Sequence, residues 1–187
     1  WVKIIMTNKT KLFVIGSTIA ASMGGFFIFG PSDQQVQATA AKEGYTAKPT
    51  IPVKGDRPTI GNGTTFYPDG RAVTMNDPAI TRKQAFEYLK FTMNKDARAF
   101  NKTLLNIPIS QAEYDLYLDF TYQYGIGAWS GSSMLKNLKI GKYKAACESL
   151  LKWKYVAKRD CSVRSNGCYG VWVRQEERYQ KCMGVNS

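Results

Sequence analysis

The chain has 187 residues, 44% of them hydrophobic, enough for one well-cored domain. Lys and Arg total 26 against 14 Asp and Glu, a formal charge of +12, so a polyanionic partner is expected: nucleic acid, a membrane face or a wall polymer. There is no histidine, which excludes serine or cysteine nucleophiles activated by a histidine base and leaves a zinc amidase without its usual ligand.

The first charge-free stretch is "LFVIGSTIAASMGGFFIFG", Leu12 to Gly30, preceded by Lys9 and Lys11. As a helix it would span about 28 Å, close to the hydrocarbon thickness of a bilayer, with the lysines on the cytoplasmic side. It reads as an uncleaved signal-anchor, so residues 1–30 form one segment and 31–187 the folded domain. Cleavage at the nearest A-x-A site, Ala38-Thr39-Ala40, would leave Glu43 almost at a new N-terminus. The anchor is weak, because Gly16, Ser17, Thr18, Ser22, Gly24 and Gly25 bury little apolar surface. The chain opens on Trp1, and Met6 is an alternative start.

Ser32 and Gln35 form a capping-box pattern that predicts a short helix, and Gly44 is suited to stop it with Glu43 in the last turn. Residues 45 to 73 carry Pro49, Pro52, Pro58 and Pro68 among repeated Gly and Thr, which favours a small β lobe of strands and turns. From Thr81 the pattern becomes helical, with capping boxes at Thr81/Gln84 and Ser110/Glu113 and apolar stripes through Ala85, Tyr88, Leu89, Met93 and Leu116, Phe120, Tyr124. The expected fold is α+β, mainly α, in two lobes: a small β lobe, a larger helical lobe and a cleft between them suited to a threaded polymer, plus the N-terminal apolar helix.

The basic excess belongs to the folded domain, since residues 134 to 187 carry 12 Lys and Arg against 4 acids. All four cysteines, Cys147, Cys161, Cys168 and Cys182, lie in this region. An even, clustered set suits two disulfides in an oxidising compartment, whereas a zinc site is poorly served without a C-x-x-C pair. Two free buried pairs are the remaining reading. Without histidine, bond cleavage must rest on carboxyl groups, and no cofactor or metal is implied.

Glu43-Gly44, "PTIGNGTT" (58–65), "FTYQYGIGAW" (120–129), "SSMLKNLKIGKYKAACESLLKW" (132–153) and "GVWVRQEERYQKC" (170–182), taken in order, resemble the phage-type lysozymes, glycoside hydrolase family 24. The resemblance implies cleavage of the β-1,4 bond between N-acetylmuramic acid and N-acetylglucosamine in peptidoglycan by an endolysin that lyses the host cell. Glu43 matches the family's general acid, which calls for an apolar or otherwise charge-disfavouring pocket. Thr59 matches the Thr of T-x-G-x-G, whose hydroxyl helps hold the attacking water; otherwise it is a strand or turn Thr.

The family's second carboxylate falls here on Pro52 or Val53, neither of which can activate water. Asp56, brought round by a turn at Gly55, is the expected replacement, while Asp69 in "YPDG" reads as a turn residue. The family's usual His after the motif is Thr64 here, a polar substrate contact. Gln123 matches a sugar-amide contact, with a structural hydrogen bond as the alternative, and Arg174 reads as structural. Related enzymes imply pairing of Cys147 with Cys182, leaving Cys161 with Cys168.

Residues 12 to 30 also resemble a signal-anchor-release segment. The implied locations are the periplasmic face of the host inner membrane and, after release, the periplasm. The implied partners are peptidoglycan and the membrane, with the enzyme a monomer and no nucleic acid bound. Two rivals remain: a lytic transglycosylase, which needs no water-activating carboxylate, and a non-catalytic basic protein that binds wall or membrane.

Overall fold

The computed structural model describes residues 9–14 and 27–187. In chain order come the paired strands β1 (Phe13–Val14) and β2 (Phe27–Ile28), helix α1 (Asp33–Glu43), and the hairpin strands β3 (Thr46–Thr50) and β4 (Thr59–Gly61). Then follow α2 (Arg82–Thr103), α3 (Gln111–Gly131), α4 (Ser133–Lys139), α5 (Tyr143–Ser149), the short pair β5 (Tyr155–Val156) and β6 (Arg159–Asp160), and α6 (Tyr169–Asn186). The fold is α+β and mainly helical. It divides into two compact units, Gly30–Arg98 and the residues up to Phe29 with Ala99–Ser187.

In the Gly30–Arg98 unit, α1 begins where the Ser32 hydroxyl accepts from the Gln35 amide at 3.1 Å. It ends where Gly44, at φ 76°, donates its N–H to the Ala40 carbonyl, a backbone turn that glycine makes without strain. Val36 and Ala40 of α1 pack against Phe86, Leu89 and Met93 of α2, so the two apolar stripes form one interface. A second cluster joins Ile60 of β4 to Tyr67, Val73, Ile80 and Ala85. The antiparallel register sets Thr46 opposite Gly61 and Thr50 opposite Thr59. Gly61 has φ 67°, and a Cβ there would lie 2.8 Å from the Ala85 Cβ, so no larger residue lets the hairpin rest on α2.

The loop after the hairpin is organised by Asp77. Its carboxylate accepts from the Thr74 N–H at 3.0 Å, the Thr74 hydroxyl, the Tyr67 phenol at 2.9 Å and the Arg71 guanidinium at 2.9 Å. Asp69 acts as the expected turn residue, accepting the Arg71 N–H at 2.9 Å.

The helical unit starts α3 with a complete capping box between Ser110 and Glu113 and breaks that helix at Gly125, where φ is 85°. Its core is aromatic. Trp129, fully buried, lies 5.1 Å between ring centroids from both Phe100 and Tyr117, and donates its indole N–H to the Thr103 hydroxyl at 2.8 Å. Burial raises the phenol pKa values of Tyr114 and Tyr117 well above the ordinary tyrosine value.

The expected apolar helix over 12–30 lies mostly outside the described residues, at 15–26. Its two ends are extended: β1 and β2 run parallel, with Phe13 opposite Phe27 and Val14 opposite Ile28. Side chains of an extended chain alternate between faces, and here Val14 and Ile28 are buried while Phe13 and Phe29 are exposed. Among the described residues no helix is long and apolar enough to cross a membrane.

Residues 11 and 12 are tied to the helical unit. Leu12 and Ile109 exchange two backbone hydrogen bonds of 2.7 Å. The Lys11 ammonium donates to the fully buried Glu113 carboxylate at 2.5 Å and to the Asn186 side-chain oxygen at 2.7 Å, and lies 3.9 Å from the Tyr143 ring centroid. Glu113 also accepts from Ser110 N–H and hydroxyl and from Asn186 Nδ2, so its charge is shared among several donors.

Two measurements check these contacts. Lys11→Met should lower the unfolding free energy by about 1–3 kcal/mol in chemical denaturation, because a buried acceptor loses its charged donor. For Asp77, the Thr74 N–H and then the Tyr67, Thr74 and Arg71 donors hold the carboxyl pKa down at about 2, below the ordinary aspartate value. A depressed folded-state pKa gives stability that is present above the unfolded value and lost as pH falls through the folded one. Asp77→Asn should therefore melt below the parent at neutral pH, and the gap should close as pH falls from the ordinary aspartate value to about 2.

Candidate active site

Glu43 is the last residue of α1 and is solvent-exposed, so the apolar surroundings expected for a proton donor are not built around it in the free protein. After Gly44 and Tyr45 the chain enters β3. The returning strand carries Thr59 opposite Thr50, and the Thr59 hydroxyl donates to the Thr50 carbonyl at 3.4 Å. That bond is the strand role open to this threonine, and it leaves the oxygen's lone pairs as acceptors.

Beyond Thr59 the chain turns sharply. Ile60 and Thr64 exchange two backbone hydrogen bonds of 3.0 Å, closing a loop whose tip is Gly61-Asn62-Gly63. Gly63 has φ 84°, and a Cβ there would stand 3.9 Å from Glu43 Oε2. The glycine turn and the Glu43 carboxylate are therefore neighbours. Asn62, nearly buried at 8% exposure, reaches back with its side-chain amide to the carbonyls of Ala40, at 3.3 Å, and of Gly44.

Asp56 sits in the loop between β3 and β4. Its N–H donates to the Val53 carbonyl at 2.9 Å, and Gly55 takes φ 97°, so the predicted turn exists. Asp56 is exposed, as are Pro52 and Val53 at the family's usual carboxylate position. Thr64 has its hydroxyl oxygen covered and, among the described residues, without a hydrogen-bond partner. It lines a groove of 530 Å³ with Gly63, Phe66 and Tyr67 on one side and Thr92 and Lys95 of α2 on the other. Phe66 is exposed, with the Arg57 guanidinium 5.4 Å from its ring centroid.

In the helical unit, Gln123 precedes the Gly125 break in α3, and its side-chain oxygen is buried without a partner among the described residues. The next residue, Tyr124, accepts from Gln175 Nε2 at 2.7 Å and donates to the Trp153 carbonyl at 3.2 Å. Burial is the main cause of its raised pKa. The structural arginine of α6 is Arg178 rather than Arg174. Arg178 is buried and grips Asp119 through Nε at 2.9 Å and Nη2 at 2.5 Å, while Arg174 is exposed. One helical turn decides between them, since residue 178 faces α3.

Cys147 is joined to Cys182, tying α5 to α6, and Cys161 to Cys168, closing the loop ahead of α6. All four thiols are thereby used, which removes them as zinc ligands. Asn62, Phe66 and Tyr67 were not singled out by sequence reasoning. The Asn-Gly pair signals a turn, but nothing local says which carbonyls the asparagine will meet.

Comparison with known proteins gives a consistent answer. The family model for phage lysozyme matches residues 40–171. The endolysin of Salmonella phage P22 is 33% identical over 101 residues, covering 54% of this chain and 68% of that protein. A SAR-endolysin of Escherichia phage 933W is 28% identical over 141 residues, covering 67% and 80%. Among solved structures, a point mutant of P22 lysozyme superposes with a TM-score of 0.63 at 25% identity, covering 83% of this chain and 99% of that one. With the match running from the last turn of α1 into the first turn of α6, the chain belongs to the phage lysozyme family and is a lysozyme-type hydrolase of peptidoglycan.

Proposed function

We propose that the enzyme hydrolyses the β-1,4 bond between N-acetylmuramic acid and N-acetylglucosamine, with Glu43 as general acid and Thr59 holding the attacking water. The observation that carries this reading is the juxtaposition of the Glu43 carboxylate with the Gly61-Asn62-Gly63 turn that follows Thr59 on one short strand. Because the Thr59 hydrogen is directed to the Thr50 carbonyl, its oxygen accepts a hydrogen bond from water. The bound water then keeps a lone pair free for the anomeric carbon. Asp56 is the base proposed to take the water's proton as the bond to carbon forms, while Glu43 gives its proton to the leaving oxygen.

Glu43 is exposed in the free enzyme, so the dry surroundings that strengthen acid catalysis must come from the glycan covering it. The groove beside Thr64, with Phe66 and Tyr67, suits the apolar face of a sugar ring, and its neighbouring Lys95 and Arg98 suit an anionic wall polymer. Thr64 is proposed as a polar contact there, and the unpartnered Gln123 oxygen as an acceptor for a sugar amide. Glu43→Gln should lower turnover on purified peptidoglycan by about 10²- to 10⁴-fold, the usual contribution of a positioned acid. Unchanged turnover would contradict the acid assignment, whereas unchanged lysis of cells by a variant that no longer turns over peptidoglycan would favour the non-catalytic wall-binding reading.

The same reading includes control of location. Residues 12–30 tether the enzyme, as a monomer, to the host inner membrane, and their exit frees it into the periplasm to reach its substrate. The likeness to a SAR-endolysin and the small, charge-free residues of the segment support this. The seating of Lys11 on Glu113 fits the released state alone, since that contact requires residues 9–14 and the helical unit to share one side of the membrane. Dissipating the membrane potential of cells expressing the full chain should trigger lysis; a lysis time indifferent to the potential would contradict tethering.

A further inference from the structure

We infer that Asn62 is a positioning residue, acting on the reaction only through Glu43; this rests on the acid role proposed above. A helix leaves its last four carbonyls without partners inside the helix, so the backbone that carries Glu43 would be expected to fray. Two of the carbonyls bracketing Glu43 are taken by one side chain. The Asn62 amide donates to the Ala40 oxygen, three residues before the acid, and to the Gly44 oxygen, one residue after it. Ala40 also accepts the Gly44 N–H at 3.1 Å, so the end of α1 is closed by a backbone and a side-chain bond together.

The other end of the link is equally fixed. Asn62 sits at the tip of the turn closed by the Ile60 and Thr64 backbone pair, and that turn continues directly from Thr59. Gly61 on one side cannot accept a Cβ because Ala85 fills the space, and Gly63 on the other faces Glu43 Oε2. The amide thus holds the backbone of the proton donor against a turn that the Ile60 and Thr64 pair and the Gly61 contact with Ala85 fix independently. Glutamate has three side-chain torsions, and a swing of the helix end would be amplified at its carboxylate. Asn62 borders both the groove beside Thr64 and a second cavity of 370 Å³ that includes Gly44, Tyr45 and Arg82, and so forms part of the partition between them.

The test is a double-mutant cycle in the full chain, with turnover on soluble, uncrosslinked peptidoglycan strands normalised to the folded fraction from circular dichroism. Asn62→Asp keeps the shape and removes the donor; Asn62→Leu fills the space without charge and serves if the first variant folds poorly. Each should lower kcat by about 10²-fold, the scale of a misplacement of about 1 Å, with KM within about threefold of the parent. Added to Glu43→Gln, either change should leave the residual rate unaltered, because the group it positions is gone. The inference is overturned if Asn62→Asp and Asn62→Leu turn over like the parent while Glu43→Gln is inactive. It is also overturned if they reduce the Glu43→Gln residual rate by the same factor as the parent rate, which would mark a general structural role. An active Glu43→Gln enzyme would instead sink the acid assignment itself.

Discussion

The contact between the Gly61-Asn62-Gly63 turn and the C-terminal end of α1 is the constraint on which the proposed site depends. It brings together a helix end and a strand end that are separated by sixteen residues of loop and sheet, Gly44 to Thr59. Three local demands meet there. Gly61 must lack a side chain to rest on Ala85, Gly63 must hold a φ of 84° that favours glycine, and the residue between them must donate to carbonyls of α1. The T-x-G-x-G pattern is thus a packing requirement before it is a catalytic one. A side chain at Gly61 would push the strand bearing Thr59 off α2, and one at Gly63 would strain the turn at its positive φ.

A chain with no histidine has few ways to move a proton at neutral pH, and carboxyl and hydroxyl groups carry the proposed chemistry. That economy places the burden on geometry. The Gly30–Arg98 unit supplies it with a small core in which α1 and the hairpin both pack on α2. The helical unit is built differently, around Trp129 and its aromatic neighbours, with disulfides joining α5 to α6 and closing the loop ahead of α6. Such cross-links suit a protein that works outside the reducing cytoplasm. Buried charge is handled by dense donation: Glu113 collects Lys11, Ser110 and Asn186, and Arg178 grips Asp119 with two nitrogens.

Much of this was legible in the sequence wherever the determinant is local. The helix starts at Ser32, Thr81 and Ser110 follow from side chains three residues from their partners, and the stop at Gly44 follows from its freedom at positive φ. The prolines between residues 49 and 68 excluded helix where the hairpin stands. What could not be read depends on distant partners. Asn62 lies 22 residues from Ala40, and Lys11 lies 102 residues from Glu113, so neither contact leaves a pattern in the chain. The ends of the apolar run pair as strands because extended residues can bury Val14 and Ile28 while exposing Phe13, a choice that composition alone does not dictate. The choice of Arg178 over Arg174, which share nearly the same helix face one turn apart, turned on which of them lies level with Asp119, and resemblance of motifs does not resolve that.

The central claim is that water, held at Thr59, is the nucleophile in a reaction for which Glu43 supplies the proton. Digesting purified peptidoglycan in ¹⁸O-labelled water and identifying the new sugar ends by mass spectrometry tests it most directly. The account predicts reducing N-acetylmuramic acid ends that carry one ¹⁸O atom. Unlabelled 1,6-anhydro ends would contradict it, because the sugar's own hydroxyl would then have displaced the leaving group without water.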